Sequence, residues 1–384
     1  MKSLLHLLQI DLPIADYKFA LLGFFTAFAF TAIVIPLFIS WFKNKGILDM
    51  PGNRKEHSLP IPTMGGIALV AGMMISLLLW FSFTANAVEL CFLFSILILS
   101  ALGIMDDLKD LQARYKFMIQ IALASMIALS GIRITSFGGL FGINNLSLSA
   151  QYIFTILVIV GITNAFNLID GIDGLAGGLG FMSLVTLGIF LTMSNDKNVA
   201  LIAFSLAGAI LAFLYFNLHP AKIFMGDTGS LVLGFIIAVL CIRMMQLNMN
   251  VAKPVIQHAP LFALGIVLIP VFDTVRVFGI RIWKGGSPFV ADKTHIHHLL
   301  TTSGFSHGFT SGLICFIHGL ILLQVYWLNQ WRGEWILIIL VSIMLTTIVV
   351  FKNLYRILSI TRLFHFIRLK KESIPVADAE NLNT

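Results

Sequence analysis

The stretch "AQYIFTILVIVGITNAFNLIDGIDGLAGGL", residues 150–179, decides the fold class of this chain. Residues 150–169 carry no charge, and a helix needs roughly 20 apolar residues to cross the hydrocarbon core of a bilayer. Two aspartates, Asp170 and Asp173, and a run of glycines follow directly. The stretch therefore predicts a membrane-spanning helix that ends in a segment bearing carboxylates.

The composition of the whole chain extends this interpretation. Of its 384 residues, 58% are hydrophobic and only 11% are charged, which indicates an integral membrane protein. The apolar segments lack the alternation of a membrane β-barrel, so we predict an all-α, polytopic helix bundle with about eleven transmembrane helices in a single domain, residues 1–384. The predicted spans are centred on residues 19–42, 66–83, 88–105, 117–132, 150–169, 175–193, 199–216, 229–247, 259–280, 309–328 and 333–351.

The basic residues predict the orientation of the bundle. Most of the 25 Lys and Arg residues fall in the connections on one side if the loop 43–65 faces inward, so we expect the amino terminus outside and the carboxyl terminus in the cytoplasm. The net charge of +7 suits an anionic membrane surface and requires no nucleic-acid partner. The basic tail, residues 352–384, contains "RILSITRLFHFIRLKK", which reads either as a surface helix or as a solvated anchor.

Three acidic motifs fall on the predicted inner side. They are "GIMDDLKDL", "NLIDGIDG" and "FMGDTGS", and they contribute Asp106, Asp107, Asp110, Asp170, Asp173 and Asp227. Carboxylates gathered at one face repel one another unless a cation lies among them, and oxygen ligands suit Mg²⁺ or Mn²⁺. Such a cation keeps positions for phosphate oxygens, so the motifs predict a phosphate-bearing substrate. Basic residues on the same side are Arg54, Lys55, Lys109, Arg114, Lys116, Lys222 and Lys293.

Each motif also has a plainer explanation. An Asp-Gly pair is often only a turn, and Asp170 and Asp173 would share a face only if the segment were helical. The "HIHH" motif, residues 295–298, could suggest zinc, but His297 and His298 are adjacent and no cysteine accompanies them. Asp273 and Arg276 are expected to pair with each other, because they are three residues apart on a helix.

Five motifs together resemble those of the polyprenyl-phosphate N-acetylhexosamine-1-phosphate transferases, the family that includes the WecA, TagO and MraY types. The matching elements are "PTMGG" (62–66), "DDLKD" (106–110), "NAFNLIDGIDGLAGG" (164–178), "FMGDTGS" (224–230) and "HIHH" (295–298), within a motif core of residues 43–308. The resemblance implies that undecaprenyl phosphate attacks the sugar-linked phosphorus of a UDP-N-acetylhexosamine and releases UMP. It also implies a bacterial cytoplasmic membrane protein whose active site faces the cytoplasm, with Mg²⁺ as cofactor.

The resemblance assigns roles to individual residues. Asp227 is expected to be a direct metal ligand. Asp106 and Asp107 match a pair that is assigned in the family either to metal binding or to the role of general base or nucleophile. Asp170 and Asp173 are expected to act in catalysis by orienting the metal or the nucleotide. The residues expected to bind substrate are Thr63, Lys116, Asn164, Asn167, Phe224, His295, His297 and His298.

The details of "HIHH" and "DDLKD" favour the WecA and TagO group, and hence UDP-GlcNAc as the donor. Phospho-MurNAc-pentapeptide transfer within the same family is the nearest alternative, and other UDP-N-acetylhexosamines stay open.

Other classes of protein fit the sequence less well than an enzyme. A transporter should carry ionisable residues near the bilayer midplane and internal repeats, and a scaffold has no need for these acids. Because a phosphate oxygen is largely ionised at neutral pH, we favour direct attack over an aspartyl-phosphate intermediate. A homodimer is left open.

Overall fold

The fold is a bundle of long helices, as the apolar segments predict. A computed structural model describes residues 17–49, 60–82, 86–249, 254, 256–287 and 294–372, with side chains described as far as residue 354. In chain order the helices are α1 Lys18–Lys45, α2 Gly65–Trp80, α3 Ala87–Lys109, α4 Ala113–Ser130, α5 Leu148–Ile169, α6 Leu175–Met193, α7 Lys197–Asn217, α8 Gly226–Met249, α9 Ala259–Trp283, α10 Ile296–Thr301, α11 His307–Trp327 and α12 Gly333–Glu372. Two short strands, β1 Leu48–Asp49 and β2 Ile61–Pro62, pair in antiparallel fashion.

Every predicted span forms a helix. Within the part of the chain that the structure describes, nine helices are long and apolar enough to cross a membrane. The other two predicted spans are α2, which has only 16 residues, and α4, which carries Arg114, Lys116 and Gln120. The polytopic, all-helical prediction is therefore confirmed, with two spans less apolar or shorter than the rest.

The last helix extends well beyond its predicted span. The prediction ends the span at residue 351, whereas α12 has 40 residues in all and ends at Glu372. At 1.5 Å per residue this helix is about 60 Å long, roughly twice the thickness of the hydrocarbon core. The first part of the basic tail is thus a direct continuation of α12 in its backbone.

Burial distinguishes central from peripheral helices. In the apolar 18-residue stretch of α7 and of α8, 78% and 83% of the residues are buried inside the protein. The corresponding shares are 22% in α1 and 28% in α12. Helices α2, α3 and α5 pack on α8, while α1 and α6 pack on α7. The lipid-facing helices expose large apolar side chains such as Phe25, Leu157 and Leu345, as expected where the solvent is hydrocarbon.

Glycines allow α8 to approach its neighbours closely near its first residue. A Cβ on Gly66 of α2 would lie 2.1 Å from the backbone nitrogen of Gly229. A Cβ on Gly103 of α3 would lie 2.4 Å from the Cα of Thr228. Only glycine permits these approaches, and they bring the ends of α2, α3 and α8 together at one end of the bundle.

Backbone hydrogen bonds fasten the β-hairpin to the same end. The Phe224 N–H donates to the Pro62 carbonyl at 2.9 Å, and the Gly65 and Gly66 N–H groups donate to the carbonyls of Phe224 and Met225. The "PTMGG" and "FMGDTGS" motifs therefore lie side by side.

Candidate active site

Asp107 caps the helix that carries Asp227. Its Oδ1 accepts a hydrogen bond from the Asp227 N–H at 2.7 Å, and its Oδ2 accepts bonds from the Thr228 N–H and hydroxyl at 3.1 and 2.6 Å. The first N–H groups of a helix have no partner within the helix, so a carboxylate placed here satisfies them and is stabilised by the helix dipole. Both oxygens of Asp107 are engaged in fixing the start of α8.

Lys116 joins two of the predicted acids. Its Nζ donates to Asp106 Oδ2 at 2.6 Å and to Asp227 Oδ2 at 3.1 Å. The Asp106 side chain is only 2% exposed, and its Oδ1 accepts from the Leu111 N–H at 2.8 Å. The ammonium thus offsets the repulsion between the carboxylates of α3 and α8.

Asn167 completes the surroundings of Asp227. Its Nδ2 donates to Asp227 Oδ1 at 2.8 Å and lies 2.9 Å from the Ser230 hydroxyl. Both oxygens of Asp227 therefore have defined donors, while the side chain keeps 33% of its area exposed. Asp227 is thereby oriented but still accessible.

The segment between α5 and α6 is a turn. Helix α5 ends at Ile169 and α6 begins at Leu175, with Gly174 in the left-handed region at φ +77°. Of the two alternatives that the sequence left open for Asp170 and Asp173, a helix and a turn, the structure shows the turn. Burial, followed by the negative charges of Asp227, Asp107 and Asp173, raises the pKa of Asp170 to about 7.

Asp173 is in direct contact with two histidines. His219 Nδ1 is 2.8 Å from Asp173 Oδ2, and His307 Nδ1 is 3.5 Å from Asp173 Oδ1. Burial alone would raise the pKa of Asp173, but the hydrogen bonds from His307 and His219 outweigh it and hold the pKa below its ordinary value.

Several of these residues line one cavity of about 360 Å³. Of the predicted site residues, the lining includes Thr63, Asn167, Asp170, Asp173, Phe224, Asp227 and His298. It also includes residues that the sequence did not single out, namely Asp49, Asn217, Ser230 and His307. A histidine or asparagine at a helix boundary on the predicted inner side, as at His307 and Asn217, was the pattern that could have identified them.

The three histidines of "HIHH" lie close together but in different surroundings. His297 and His298 have ring centroids 4.3 Å apart, and only His298 lines the cavity. His295 is buried, and its Nδ1 contacts Asp273 Oδ2 at 2.8 Å. His297 is buried against Gly171, where a Cβ would lie 2.5 Å from the imidazole Nε2.

Asp273 organises this histidine segment. It pairs with Arg276 at 2.7 Å, which confirms the predicted pair, and also accepts from the Ile296 N–H at 3.0 Å. Arg276 in turn donates to the Thr294 carbonyl. Asp273 and Arg276 therefore neutralise each other's charge and also anchor the start of α10.

Asn164 contacts a neighbouring helix. Its Nδ2 donates to Gln120 Oε1 of α4 at 2.5 Å and to the Val160 carbonyl at 2.8 Å. Six of the predicted site residues do not line the described cavity, namely Asp106, Asp107, Lys116, Asn164, His295 and His297. Arg54, Lys55 and Lys293 lie outside the described residues.

The donor set fits a hard divalent cation. Asp227 and Asp106 lie within reach of one ammonium, and burial, followed by surrounding negative charge, raises the pKa of Asp170. A cation of this kind prefers carboxylate oxygens and relieves the repulsion among them. Asp227, which lines the cavity and stays 33% exposed, is the residue that would hold it, with Asp170 on the same cavity wall. Asp106 is 2% exposed, and both of its oxygens are already bonded, to Lys116 and to the Leu111 N–H.

Fold and cavity together define a multi-pass membrane protein with an acidic, lysine-bearing site at one end of its bundle. A sequence profile described as glycosyl transferase family 4 matches residues 89–245. The probable undecaprenyl-phosphate N-acetylglucosaminyl 1-phosphate transferase of Bacillus subtilis (strain 168) is 36% identical over 277 residues, which cover 72% of this chain and 75% of that protein. The undecaprenyl-phosphate alpha-N-acetylglucosaminyl 1-phosphate transferases of Salmonella typhi and Escherichia coli (strain K12) are similar at 32% and 30% identity, covering 75% and 82% of this chain and 78% and 85% of those proteins. The chain belongs to glycosyl transferase family 4, and it is a transferase.

Proposed function

We propose that this protein transfers GlcNAc-1-phosphate from UDP-GlcNAc to undecaprenyl phosphate and releases UMP. The observation that carries the proposal is the placement of Lys116 between Asp106 and Asp227, with Asp227 on the wall of the cavity. Phosphoryl transfer between two anions needs this combination of fixed positive charge and metal-binding oxygens. The names of the three relatives support GlcNAc and do not favour the pentapeptide nucleotide or a transporter.

The reaction forms one bond and breaks another at the same phosphorus. An oxygen of the lipid phosphate attacks the sugar-linked phosphorus of the donor, and the bond from that phosphorus to the UMP oxygen breaks. The attacking oxygen is already ionised near pH 7, so no strong base is needed. Because Asp107 has both oxygens in the α8 cap, its geometry supports direct attack over an aspartyl-phosphate intermediate.

The other residues of the site have separate roles in the reaction. Lys116 holds Asp106 and Asp227 together, and Asn167 fixes the orientation of Asp227. A bound Mg²⁺, for which Mn²⁺ is a substitute, would neutralise phosphate charge and stabilise the leaving UMP. Asp107 fixes the start of α8, while Thr63, Phe224 and His298 line the cavity for the donor.

The proposal includes the setting of the reaction. We place the protein in the bacterial inner membrane as a single domain, residues 1–384, with the cavity open to the cytoplasm, where a UDP-sugar is available. The basic inner connections of the sequence support this orientation. A homodimer is compatible with the proposal and is not required by it.

Product formation by the purified full-length protein tests the proposal. The protein is incubated with undecaprenyl phosphate, Mg²⁺ and, in parallel, UDP-GlcNAc, UDP-GalNAc or UDP-MurNAc-pentapeptide, and UMP and lipid-linked sugar are followed by mass spectrometry. We expect both products with UDP-GlcNAc and their loss with EDTA. Product only with the pentapeptide nucleotide would overturn the choice of sugar, and no product with any donor would overturn the reaction.

A further inference from the structure

The Asp173 carboxylate is held from two sides by histidines of separate segments. His219 lies in the connection between α7 and α8, and His307 is the first residue of α11. Each imidazole faces a different oxygen of Asp173, at 2.8 Å for His219 and 3.5 Å for His307. The Ala221 N–H donates to Oδ2 at 3.2 Å, and the Ser311 hydroxyl donates to the Asp173 carbonyl at 2.6 Å. Asp173 is therefore fixed in both side chain and backbone.

The same three side chains offer atoms that lie within 4.8 Å of one another, a spacing that a metal ion could also use. A hydrogen bond accounts for the His219 contact, and His307 adds an ion-pair contact at 3.5 Å. Oδ2 accepts from both His219 and the Ala221 N–H, and ring nitrogens facing a carboxylate at these distances form pairs without an ion. The observations favour a hydrogen-bonded clamp, and a metal site becomes an outcome of the test.

We propose that His219 and His307 are positioning residues that fix Asp173 as a hydrogen-bond acceptor on the cavity wall and thereby set the affinity for the nucleotide-sugar donor. This inference rests on the proposed function. A carboxylate accepts bonds from N–H and O–H groups. A nucleotide sugar carries such groups on its base, ribose and sugar, whereas an ionised lipid phosphate and its hydrocarbon chain carry none. The clamp therefore acts on the donor and not on the lipid.

The decisive variants are His219→Ala and His307→Ala, each compared with its asparagine counterpart. Loss of the charge-assisted hydrogen bond from His219 corresponds to roughly a tenfold effect, so we expect KM for UDP-GlcNAc to rise about tenfold in His219→Ala. The rise should be smaller in His307→Ala, because the His307 contact is longer, at 3.5 Å. The kcat and the KM for undecaprenyl phosphate should change less than about threefold, and asparagine, which keeps a donor, should restore much of the loss. Asp173→Asn should raise the donor KM similarly, and adding His219→Ala to it should have little further effect, because both changes act on one contact.

His219 is the safer site for the test, since its side chain is 43% exposed and its removal leaves little unfilled volume. If His307→Ala fails to fold, His219→Ala alone decides. His258→Ala is the matched control, because His258 contacts the Trp331 carbonyl at the opposite end of the bundle, and its kinetic constants should equal those of the unmodified protein.

Three results would overturn the inference on its own. An active protein whose donor KM is unchanged in His219→Ala excludes the clamp while leaving the proposed function intact. Equal losses of kcat for alanine and asparagine variants, with donor KM constant, would mean a merely structural role. Stoichiometric zinc or manganese in the purified protein, lost in both alanine variants, would replace the clamp with a metal site. An unmodified protein that is inactive with every donor would instead overturn the proposed function, and the clamp with it.

Discussion

Substitution of Asp227 tests the proposed metal site directly. Asp227→Asn keeps the size of the side chain but only one of the two acceptor oxygens that face Lys116 and Asn167, and it removes a negative charge from the metal-binding group. We expect UMP formation to fall by at least about 100-fold, since such electrostatic contributions typically amount to that much. The thermal midpoint in detergent should stay within a few degrees of that of the unmodified protein.

The matched control for Asp227→Asn is Asp110→Asn. Asp110 is an exposed carboxylate at the same end of the bundle and adopts a left-handed conformation that asparagine tolerates. Its turnover should stay near that of the unmodified protein. Near-normal UMP release by Asp227→Asn would contradict the assignment of this residue.

Lys116 is expected to contribute both to the stability of the protein and to its turnover. Lys116→Gln leaves Asp106, only 2% exposed, without its ammonium, and removes the contact that joins α4 to Asp227. A buried charge that loses its partner is strongly destabilised, so we predict both lower thermal stability and at least about a 100-fold loss of turnover. Lys43→Gln, at an exposed position at the end of α1, should alter neither quantity, and equal effects of the two substitutions would remove Lys116 from the site.

Asp170 predicts a specific pH dependence of stability. Because its pKa is raised to about 7 in the folded protein, the folded state binds this proton more tightly than the unfolded state. The associated stability is fully present below the unfolded pKa and is lost as pH rises through about 7. In EDTA, Asp170→Asn should therefore unfold about 2–4 °C above the unmodified protein at pH 8 and show no such advantage at pH 4.

Added Mg²⁺ provides the control for this measurement. Burial raises the pKa of Asp170, and neighbouring negative charges raise it further. A divalent cation neutralises those charges, so the advantage of Asp170→Asn at pH 8 should shrink when Mg²⁺ replaces EDTA. A difference that is the same at both pH values would show that the titration of Asp170 does not contribute to stability.

At the scale of the elements, Asp107 is expected to act through helix α8. Asp107→Ala removes the acceptor for the Asp227 N–H and for both Thr228 donors, and loss of a helix cap costs about 1–2 kcal/mol. Thr228→Val removes only the hydroxyl donor and should cost less. Activity should fall in the same order as stability. An Asp107→Asn protein of unchanged stability and no activity would instead return Asp107 to the chemistry itself.

The close approach of α2 and α8 can be tested with a pair of glycine substitutions. Gly66→Ala would place a Cβ 2.1 Å from a backbone atom of Gly229, which requires the two helices to separate and moves the start of α8. We expect a loss of several kcal/mol of stability, together with lost activity. Gly161→Ala in α5, where a Cβ meets nothing within 4 Å, should be neutral or mildly stabilising.

These elements also show how far the sequence could be used for prediction. The length of the apolar segments located every long helix, because a segment in lipid must satisfy its own backbone hydrogen bonds and a helix does so. It could not distinguish the turn at 170–174 from a helix, since glycines and aspartates fit both, nor foresee that Asp107 faces an N–H group and Asn164 faces Gln120. The partners of a polar side chain depend on which helices meet, and that follows from packing far along the chain.

At the scale of the whole molecule, the start of α1 and the end of α12 lie at opposite ends of the bundle. Tyr17 contacts the Ile189 carbonyl near the end of α6, whereas α1 ends at Lys45, close to Asp49 on the cavity wall. Gly333, where α12 begins, lies near His258 at the end away from the cavity, so α12 runs back toward the cavity end. If the cavity faces the cytoplasm, the start of α1 must lie on the outer side.

Cysteine labelling in intact cells tests this orientation. In a background where Cys91, Cys241 and Cys315 are replaced, Lys43→Cys places an exposed thiol at the cavity end and Lys197→Cys places one at the opposite end. A membrane-impermeant maleimide should label position 197 in spheroplasts and position 43 only after permeabilisation, because the basic connections are retained on the inner side. The reverse pattern would put the cavity outside, where no UDP-sugar is supplied, and would contradict the proposed reaction as well as the topology.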